Sequence, residues 1–228
     1  MRRNLNELEA GNLLTKYGIP MVKSAVSHSE EDAKEKAEAM DFPVVMKILS
    51  SDILHKTEAG CVITNITDAK QVKEAYREII RNAQTHCKDA TIEGVLIQEM
   101  AEKGLEVIVG MKHDPQFGPV ILAGTGGIYV EVFEDISLRL LPITRQEAKA
   151  MLEETKLIKI LRGARGTVYD EDALIDILLR LSDMALVNPL IREIDVNPLF
   201  LYETGKGAKG VDALIVTSDS DTGHPCRG

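Results

Sequence analysis

Residues 43–62 read PVVMKILSSDILHKTEAGCV, an apolar run that carries one lysine and then opens into a polar loop with a histidine. Because the run is short, rich in β-branched residues and preceded by a proline, it predicts a strand buried on both faces. Lys47 lies inside this strand. A buried ammonium stays charged beside an anion such as a nucleotide phosphate, whereas a lysine on an edge strand discourages strand pairing. The strand alone leaves both interpretations open.

The loop after this strand places hydroxyls, a second lysine and His55 within residues 50–57, and Gly60 closes it. An imidazole is nucleophilic near neutral pH and can carry a phosphoryl group on nitrogen. The alternative is a solvated loop histidine, which is the default interpretation when the loop is considered by itself.

Composition limits the class of protein. With 228 residues, of which 44% are hydrophobic and 28% charged, the chain has room for one large or two small globular cores. A net charge of -9 argues against a nucleic-acid binder, which usually has a basic patch. No stretch is apolar enough for a membrane span and no signal-peptide core is visible, so we expect a cytoplasmic protein. Cys61, Cys87 and Cys226 are odd in number and far apart, which predicts neither a disulfide framework nor a zinc site.

Hydrophobic spacing predicts a leading helix and turn over residues 1–25, an α/β lobe over 26–97, a second lobe over 98–217 and a disordered polar tail over 218–228. The first half should contain a helix over 5–17, a short strand at Met21-Val22, a helix from the N-cap Ser29 to about Met40, a strand over 61–65 and a helix over 69–83. The second half should contain strands over 95–97, 106–109 and 120–122, helices over 145–153 and 172–186, and strands over 190–196 and 211–216. Short connections between the first three of these strands favour an antiparallel sheet.

The segment IREIDVNP, which ends at Pro198, alternates acidic or amide side chains with apolar ones. A period of two puts Glu193, Asp195 and Asn197 on one face of a strand, and we expect Pro198 to break the ladder. A glycine-rich turn then brings the next strand alongside, so that Asp212 joins this face. Such oxygen ligands suit Mg²⁺, a hard cation. The alternative is a solvent-facing acidic strand.

Three further segments carry weaker signals. Gly124–Gly127 follows a strand and offers backbone amides to an anion, but its spacing is not a dinucleotide-binding fingerprint and a plain glycine-rich turn is the default. Arg162–Gly166 is basic, and a helix C-terminus with a glycine stop explains it.

Gln98–Met100 ends a buried strand before a hinge-like polar step. Its backbone can read an adenine ring, and Glu106 just beyond can accept hydrogen bonds from ribose.

The lysine strand, the histidine loop, the hinge segment and the acidic strand follow one another in the order of an ATP-grasp domain. More narrowly, the chain resembles the β subunit of ADP-forming acetyl-CoA synthetase, a relative of the succinyl-CoA synthetase β subunit. The similarity runs from about Leu5 to Val216, through YGIP, PVVMKI, SDILHKTEAG, GLEVIVGMKHDPQFGP, GTGGIYVE and EIDVNPL. Cys61 stands where the family usually has a second glycine, and the tail resembles nothing in the family.

This resemblance implies an α/β (α+β) fold of the ATP-grasp type, with two α/β lobes and a nucleotide cleft between them. It also implies that Lys47 contacts the phosphates of ATP or ADP. Gln98, Glu99 and Met100 would hold adenine, and Glu106 would bind ribose.

The resemblance further implies that Asn197 and Asp212 hold Mg²⁺. Asp195 matches an acidic position two residues before the metal-binding asparagine and is a weaker candidate. His55 matches the second phosphohistidine of the ADP-forming acetyl-CoA synthetases, a position at which succinyl-CoA synthetases have none.

By the same resemblance, the chain is the nucleotide-binding subunit of an enzyme that interconverts acyl-CoA, ADP and phosphate with free acid, CoA and ATP. A larger CoA-binding α subunit, in an α2β2 heterotetramer, would handle acyl-CoA and phosphate and pass a phosphoryl group to His55. Two alternatives stay open: a stand-alone ATP-grasp carboxylate ligase, and a non-catalytic nucleotide-sensing module of an acyl-CoA-responsive protein. The sequence names neither the acyl group nor the choice between ADP and GDP.

Overall fold

A computed structural model describes residues 2–53, 55–127, 135–164 and 166–218. These residues form two compact units. The N-terminal unit comprises Asn6–Gly11 and Val22–Glu102, and the C-terminal unit comprises the remaining described residues. Among the helices of the described chain, none is long and apolar enough to cross a membrane.

The N-terminal unit is built on a four-stranded antiparallel sheet with the strand order β2-β5-β3-β4. Its strands, numbered along the chain, are β2 (Ser24–Ser27), β3 (Val44–Leu49), β4 (Val62–Ile66) and β5 (Gly94–Glu99). Its helices are α2 (Glu30–Met40) and α3 (Ala69–His86), and helix α1 (Glu7–Lys16) begins in this unit. The strand β3 is therefore a central strand, paired on both sides.

Both long helices of this unit begin at side chains that cap their first turn. The Ser29 hydroxyl accepts a hydrogen bond from the Asp32 N–H at 3.2 Å, and the Asp68 carboxylate accepts one from the Gln71 N–H at 2.9 Å. These bonds satisfy N–H groups that a helix start leaves without a partner. The buried residues of α3 recur at helical spacing and form one stripe: Val72, Ala75, Ile79 and Ala83.

The strands β3 and β5 turn one face towards the helices and the other face away from them. Met46 of β3 pairs with Ile97 of β5, and both join the hydrophobic core that includes the stripe of α3. Successive side chains of a strand point to opposite faces. Lys47 and Gln98 therefore lie on the face opposite the helices.

The C-terminal unit holds a seven-stranded antiparallel sheet with the order β1-β11-β9-β6-β7-β8, in which β10 also pairs with β9. Its strands are β1 (Arg2–Asn4), β6 (Leu105–Asp114), β7 (Gly118–Thr125), β8 (Ile136–Leu140), β9 (Ile191–Leu201), β10 (Ala208–Gly210) and β11 (Ala213–Ser218). Its helices are α4 (Arg145–Glu153), α5 (Leu157–Leu161) and α6 (Glu171–Val187).

Helices α4 and α6 cover one face of this sheet. Both pack against β7, and α6 also packs against β6. Val109, Ile121 and Val196, one from each of three neighbouring strands, are fully buried on the covered face. By the same alternation, Asp195 belongs to the face that these helices leave uncovered.

Two of the predicted strands need correction. Met21-Val22 is not a strand, because Met21 makes only an isolated bridge to Gly210 and the strand begins at Ser24. The predicted strand over 95–97 does not join the sheet that follows it. It is part of β5, which pairs with β2 and β3, whereas β6 and β7 pair with each other in the second sheet as predicted.

Pro198 does not break the ladder, contrary to the prediction. Strand β9 runs on to Leu201, and its pairing with β6 shifts register between Val107 and Val109. Such an irregularity accommodates a residue without an N–H donor, because the local hydrogen-bond pattern is already interrupted. The last strand begins at Ala213 rather than residue 211 and includes Ser218, where the tail was predicted to start. Residues 219–228 of that tail lie outside the described residues.

Candidate functional site

Lys47 lies in the middle of the N-terminal sheet. Its strand neighbours are Leu96 on β5 and Val62 on β4, and only 7% of the residue is exposed. A lysine that protects an edge strand would lie at the border of a sheet. The edge-strand interpretation is therefore wrong, and the phosphate role of Lys47 stays a prediction.

His55 lies at the start of a compact turn and is exposed. Its backbone carbonyl accepts a hydrogen bond from the Ala59 N–H at 3.0 Å, and the carbonyl of Lys56 accepts one from the Cys61 N–H at 2.8 Å. The Asn82 amide of α3 donates to the Gly60 carbonyl at 2.7 Å. The backbone around the histidine is thus held in place while its side chain stays accessible to a reactant.

Cys61 ends this turn as a packing residue. It is fully buried, and burial raises the pKa of its thiol. Its carbonyl accepts a hydrogen bond from the Ile48 N–H at 3.0 Å, which joins the end of the turn to β3. A raised pKa disfavours the thiolate, the reactive form of cysteine. Cys61, which stands where the resembled family usually has a glycine, therefore contributes to packing and does not supply a reactive thiol.

An ion pair that sequence reasoning missed lies beside the histidine. Lys56 Nζ lies 2.6 Å from Glu7 Oε1, and the two side chains are 17% and 22% exposed. The partners are 49 positions apart along the chain. No local spacing rule connects residues so far apart, so only the folded structure shows the pair.

The predicted adenine segment forms the end of β5. Gln98 is 4% exposed, and its side-chain amide donates to the Ser24 hydroxyl at 3.1 Å. The Glu99 N–H donates to the Lys23 carbonyl and the Met100 N–H to the Pro43 carbonyl. Both N–H groups are therefore engaged within the N-terminal unit, and Met100 is 37% exposed. The adenine role of this segment stays a prediction.

In the C-terminal unit, Asn197 and Asp212 are adjacent. The Asn197 N–H donates to the Asp212 carbonyl at 3.2 Å, although Asp212 precedes β11 instead of lying within it. The sequence prediction that the returning chain brings Asp212 beside Asn197 is confirmed. Both side chains carry oxygen donors of the kind that Mg²⁺ prefers, so the donor set fits that cation.

Asp195 lies opposite Gly110 of β6 and Leu214 of β11. Burial, and then the nearby charge of Glu193, raise the pKa of its carboxyl group. Asp195 stays the weaker candidate beside Asn197 and Asp212.

The described residues contain no group of three or more His, Cys, Asp or Glu side chains that could hold a metal by themselves. The candidate ligands here are the carboxylates of Asp195 and Asp212 and the side-chain amide of Asn197. Mg²⁺ commonly takes one or two protein carboxylates and completes its shell with water and substrate phosphates. This set is suited to a cation that arrives with a nucleotide.

Glu106 lies on β6 with the glycine-rich segment packed against it. The Gly126 N–H donates to the Glu106 carbonyl at 2.9 Å, and a side chain at Gly126 would begin 2.8 Å from the same backbone. Gly127 has a φ of 70° and lies against the Glu106 carboxylate. Close packing against Glu106 explains these glycines without an anion. Residues 128–131, the second half of the GTGGIYVE motif, lie outside the described residues.

The basic segment after α5 is a helix end, as predicted. Gly163 has a φ of 95°, the left-handed conformation that commonly ends a helix. Arg162 bonds both Glu153 and Glu171, and these carboxylates raise the pKa of its guanidinium. Its charge is therefore compensated within the C-terminal unit. Arg165 lies outside the described residues.

Comparison with known proteins identifies the family. Residues 1–217 match the ATP-grasp domain family. This chain belongs to the ATP-grasp family. It is 45% identical over 215 residues to the β subunit of acetate–CoA ligase (ADP-forming) I of Pyrococcus furiosus, with 94% of this chain and 92% of that one covered. It is 43% identical to the 4-hydroxybutyrate–CoA ligase (ADP-forming) of Nitrosopumilus maritimus, where the match covers 94% of this chain but 31% of that protein.

Solved structures of the acetyl-coenzyme A synthetase 1 of Ca. Korarchaeum cryptofilum have the same fold. Its complex with coenzyme A, Ca-AMPCP and HgCl+ gives a TM-score of 0.90 at 41% identity, covering 95% of this ATP-grasp chain and 94% of that chain. Its complex with coenzyme A and Mg-AMPPCP has a phosphohistidine segment pointing towards the nucleotide binding site. That structure gives a TM-score of 0.83 at 38% identity, with 94% and 93% covered. The predicted ATP-grasp fold and the likeness to this β-subunit group are confirmed.

Proposed function

We propose that this chain is the nucleotide-binding β subunit of an ADP-forming acyl-CoA synthetase. His55 would carry a phosphoryl group between an acyl phosphate, formed on a partner subunit, and ADP. The observation that carries this proposal is the exposed His55 on a fixed turn, which directly follows the strand of the enclosed Lys47. The match over almost the whole length of a named β subunit supports it.

The proposed roles are given separately for the residues of each unit. In the N-terminal unit, Lys47 neutralises phosphate charge and Gln98, Glu99 and Met100 hold adenine. In the C-terminal unit, the roles are ribose binding by Glu106 and Mg²⁺ binding by Asn197 and Asp212, with Asp195 as a weaker ligand. The Mg²⁺ supplies positive charge for the phosphates of ATP or ADP.

The chemistry of His55 follows from its accessibility. In the direction of ATP synthesis, an imidazole nitrogen takes the phosphoryl group from the partner subunit. An oxygen of the ADP β-phosphate then forms a bond to that phosphorus as the phosphorus–nitrogen bond breaks, and the imidazole is regenerated. Phosphoryl transfer depends mainly on positioning and on stabilising charge. A histidine with a fixed backbone and an open side chain meets the first requirement.

The partner and the acyl group are proposed from the relatives. We propose a larger CoA-binding α subunit in an α2β2 heterotetramer, because the same region makes up about a third of a single longer chain in the 4-hydroxybutyrate ligase. The acid would bind on that partner, and acetyl-CoA or a similar thioester is the substrate class. The stand-alone ligase and the sensing module are not favoured, since a named relative of matching length is a β subunit.

Labelling with γ-³²P-ATP and Mg²⁺ tests the phosphohistidine. The wild-type protein should retain acid-labile label, and His55→Ala should lose it. His86→Ala is the matched control, because His86 is exposed at the end of α3 in the same unit and should change nothing. Undiminished labelling of His55→Ala would refute the role of His55.

A further inference from the structure

The turn that carries His55 is fixed from both sides. Two residues before it, Ile53 is 1% exposed and belongs to the hydrophobic core. Just after it, Lys56 uses its backbone carbonyl to accept from Cys61 and its side chain to bind Glu7. In addition to the hydrogen bonds of the turn, the position of the imidazole therefore depends on a buried apolar anchor and on one ion pair.

The carboxylate partner is itself rigidly mounted. Glu7 lies in the first turn of α1, where the Glu9 N–H donates to the Asn6 side chain at 2.9 Å and the Asn6 N–H donates to the Glu9 carboxylate at 3.1 Å. The Asn6 amide also donates to Glu93 at 3.0 Å. This reciprocal capping box fixes the helix start. Glu7 is thus a stable point of attachment within the N-terminal unit.

The two partners depend on each other. The second carboxylate oxygen of Glu7 is buried, and no hydrogen-bond donor reaches it among the described residues. Lys56 therefore provides the positive charge that compensates this enclosed carboxylate. Removing one member of an enclosed ion pair leaves the other without compensation, which is far more costly than losing an exposed pair. The cost of separating the two charges therefore favours the native arrangement of the turn.

We propose that the Glu7–Lys56 ion pair is a positioning device that holds the His55 turn in the geometry required for phosphoryl transfer. This inference rests on the proposed function of His55. Glu7 and Lys56 act through the backbone of the turn, so they are positioning residues. Because transfer rates depend steeply on placement, loosening the turn slows the chemistry while the nucleotide-binding residues are unaffected.

The test measures the rate of phosphorylation in rapid-quench experiments on the full chain, together with any co-purified partner subunit. Glu7→Gln and Lys56→Met should each lower the rate of acid-labile labelling about tenfold or more, at unchanged affinity for Mg-ATP. The double variant should lose no more than either single variant, because the effects of interacting partners are not additive. Lys56→Arg should recover most of the rate, since it restores the charge.

Glu31→Gln and Lys73→Met provide the matched control. This lysine–glutamate pair joins α2 and α3 in the same unit at 2.5 Å, but its side chains are 31% and 69% exposed. Its loss should leave the labelling rate unchanged. Melting curves must show that each variant is folded at the assay temperature, so that a change in rate is not a loss of folded protein.

Two results overturn the inference and are distinguishable. If folded Glu7→Gln and Lys56→Met proteins label as fast as wild type, while His55→Ala loses the label, the positioning role is wrong and the proposed function stands. If wild-type protein does not label at His55 at all, the proposed function fails and this inference fails with it.

Discussion

Lys47 differs in surroundings from the residues on either side of it. Met46 and Ile48 pack into the core under the helices, while Lys47 projects from the opposite face of the same strand and is 7% exposed. In the proposed function, this ammonium lies beside the phosphates of the nucleotide and contributes positive charge there.

Replacing Lys47 by methionine keeps an unbranched side chain, one atom shorter, and removes its charge. We expect Lys47→Met to weaken ATP binding about 10- to 100-fold, because a hydrogen bond to a charged group contributes about 1.5–3 kcal/mol. Isothermal titration calorimetry measures this. Lys34→Met is the control, since Lys34 lies half-exposed on α2, 3.8 Å from Glu38. Equal affinities of Lys47→Met and wild type would exclude the phosphate role.

At the scale of elements, the pairing of β9 with the chain before β11 creates the candidate metal ligands. Asn197 is exposed near the register shift of β9, and its N–H reaches the Asp212 carbonyl. This backbone hydrogen bond brings two residues from separate segments side by side. Mg²⁺ bound there would link this edge of the sheet to nucleotide phosphates.

Replacing either candidate ligand should weaken Mg²⁺ binding more than it destabilises the fold. We expect Asn197→Ala and Asp212→Ala to weaken Mg²⁺ binding in the presence of ATP about tenfold or more. Titration of Mg²⁺ at fixed ATP measures the change. Glu203→Gln is the control, because Glu203 is an exposed acid that pairs with Lys206 in the same unit. Superimposable titration curves for all variants would contradict the metal assignment.

The sequence predicts elements well where local chemistry determines them. Helix α4 begins at Arg145 because Thr144 and Glu147 form a capping box, and its predicted bounds are those observed. Pro198 was predicted wrongly because whether a proline fits a strand depends on the register of the neighbouring strand, which the sequence does not reveal.

The candidate site residues were predicted from short motifs and from their order along the chain. The Glu7–Lys56 pair was not, because its partners are distant along the chain and meet only through tertiary packing. The burial that raises the pKa of Asp195 likewise comes from packing and has no local signature.

For the whole molecule, size and similarity indicate a component of a larger enzyme. The chain covers 92% of a named β subunit but 31% of a single-chain ligase. The remainder of that ligase is roughly twice as long as the matched part. We infer that this chain has a partner of about that size.

Purification from the native source tests this inference. We expect a subunit roughly twice as long to co-elute with this chain through size-exclusion chromatography, since fused relatives carry both parts together. Native mass spectrometry then gives the stoichiometry, for which we propose α2β2. Recovery of an isolated chain that makes acyl-CoA from acid, CoA and ATP would instead support the stand-alone ligase.

Because the two faces of β3 have different surroundings, the strand also restricts which insertions and deletions this protein tolerates. Its odd-numbered and even-numbered positions serve different purposes, with Lys47 on one face and Met46 on the other. A one-codon insertion or deletion within Val44–Leu49 would exchange these faces and bury the ammonium under the helices. Such a change would disrupt the folding of this sheet and remove Lys47 from its proposed position. Lineages of this protein should therefore vary in length at their loops and keep this strand at constant length.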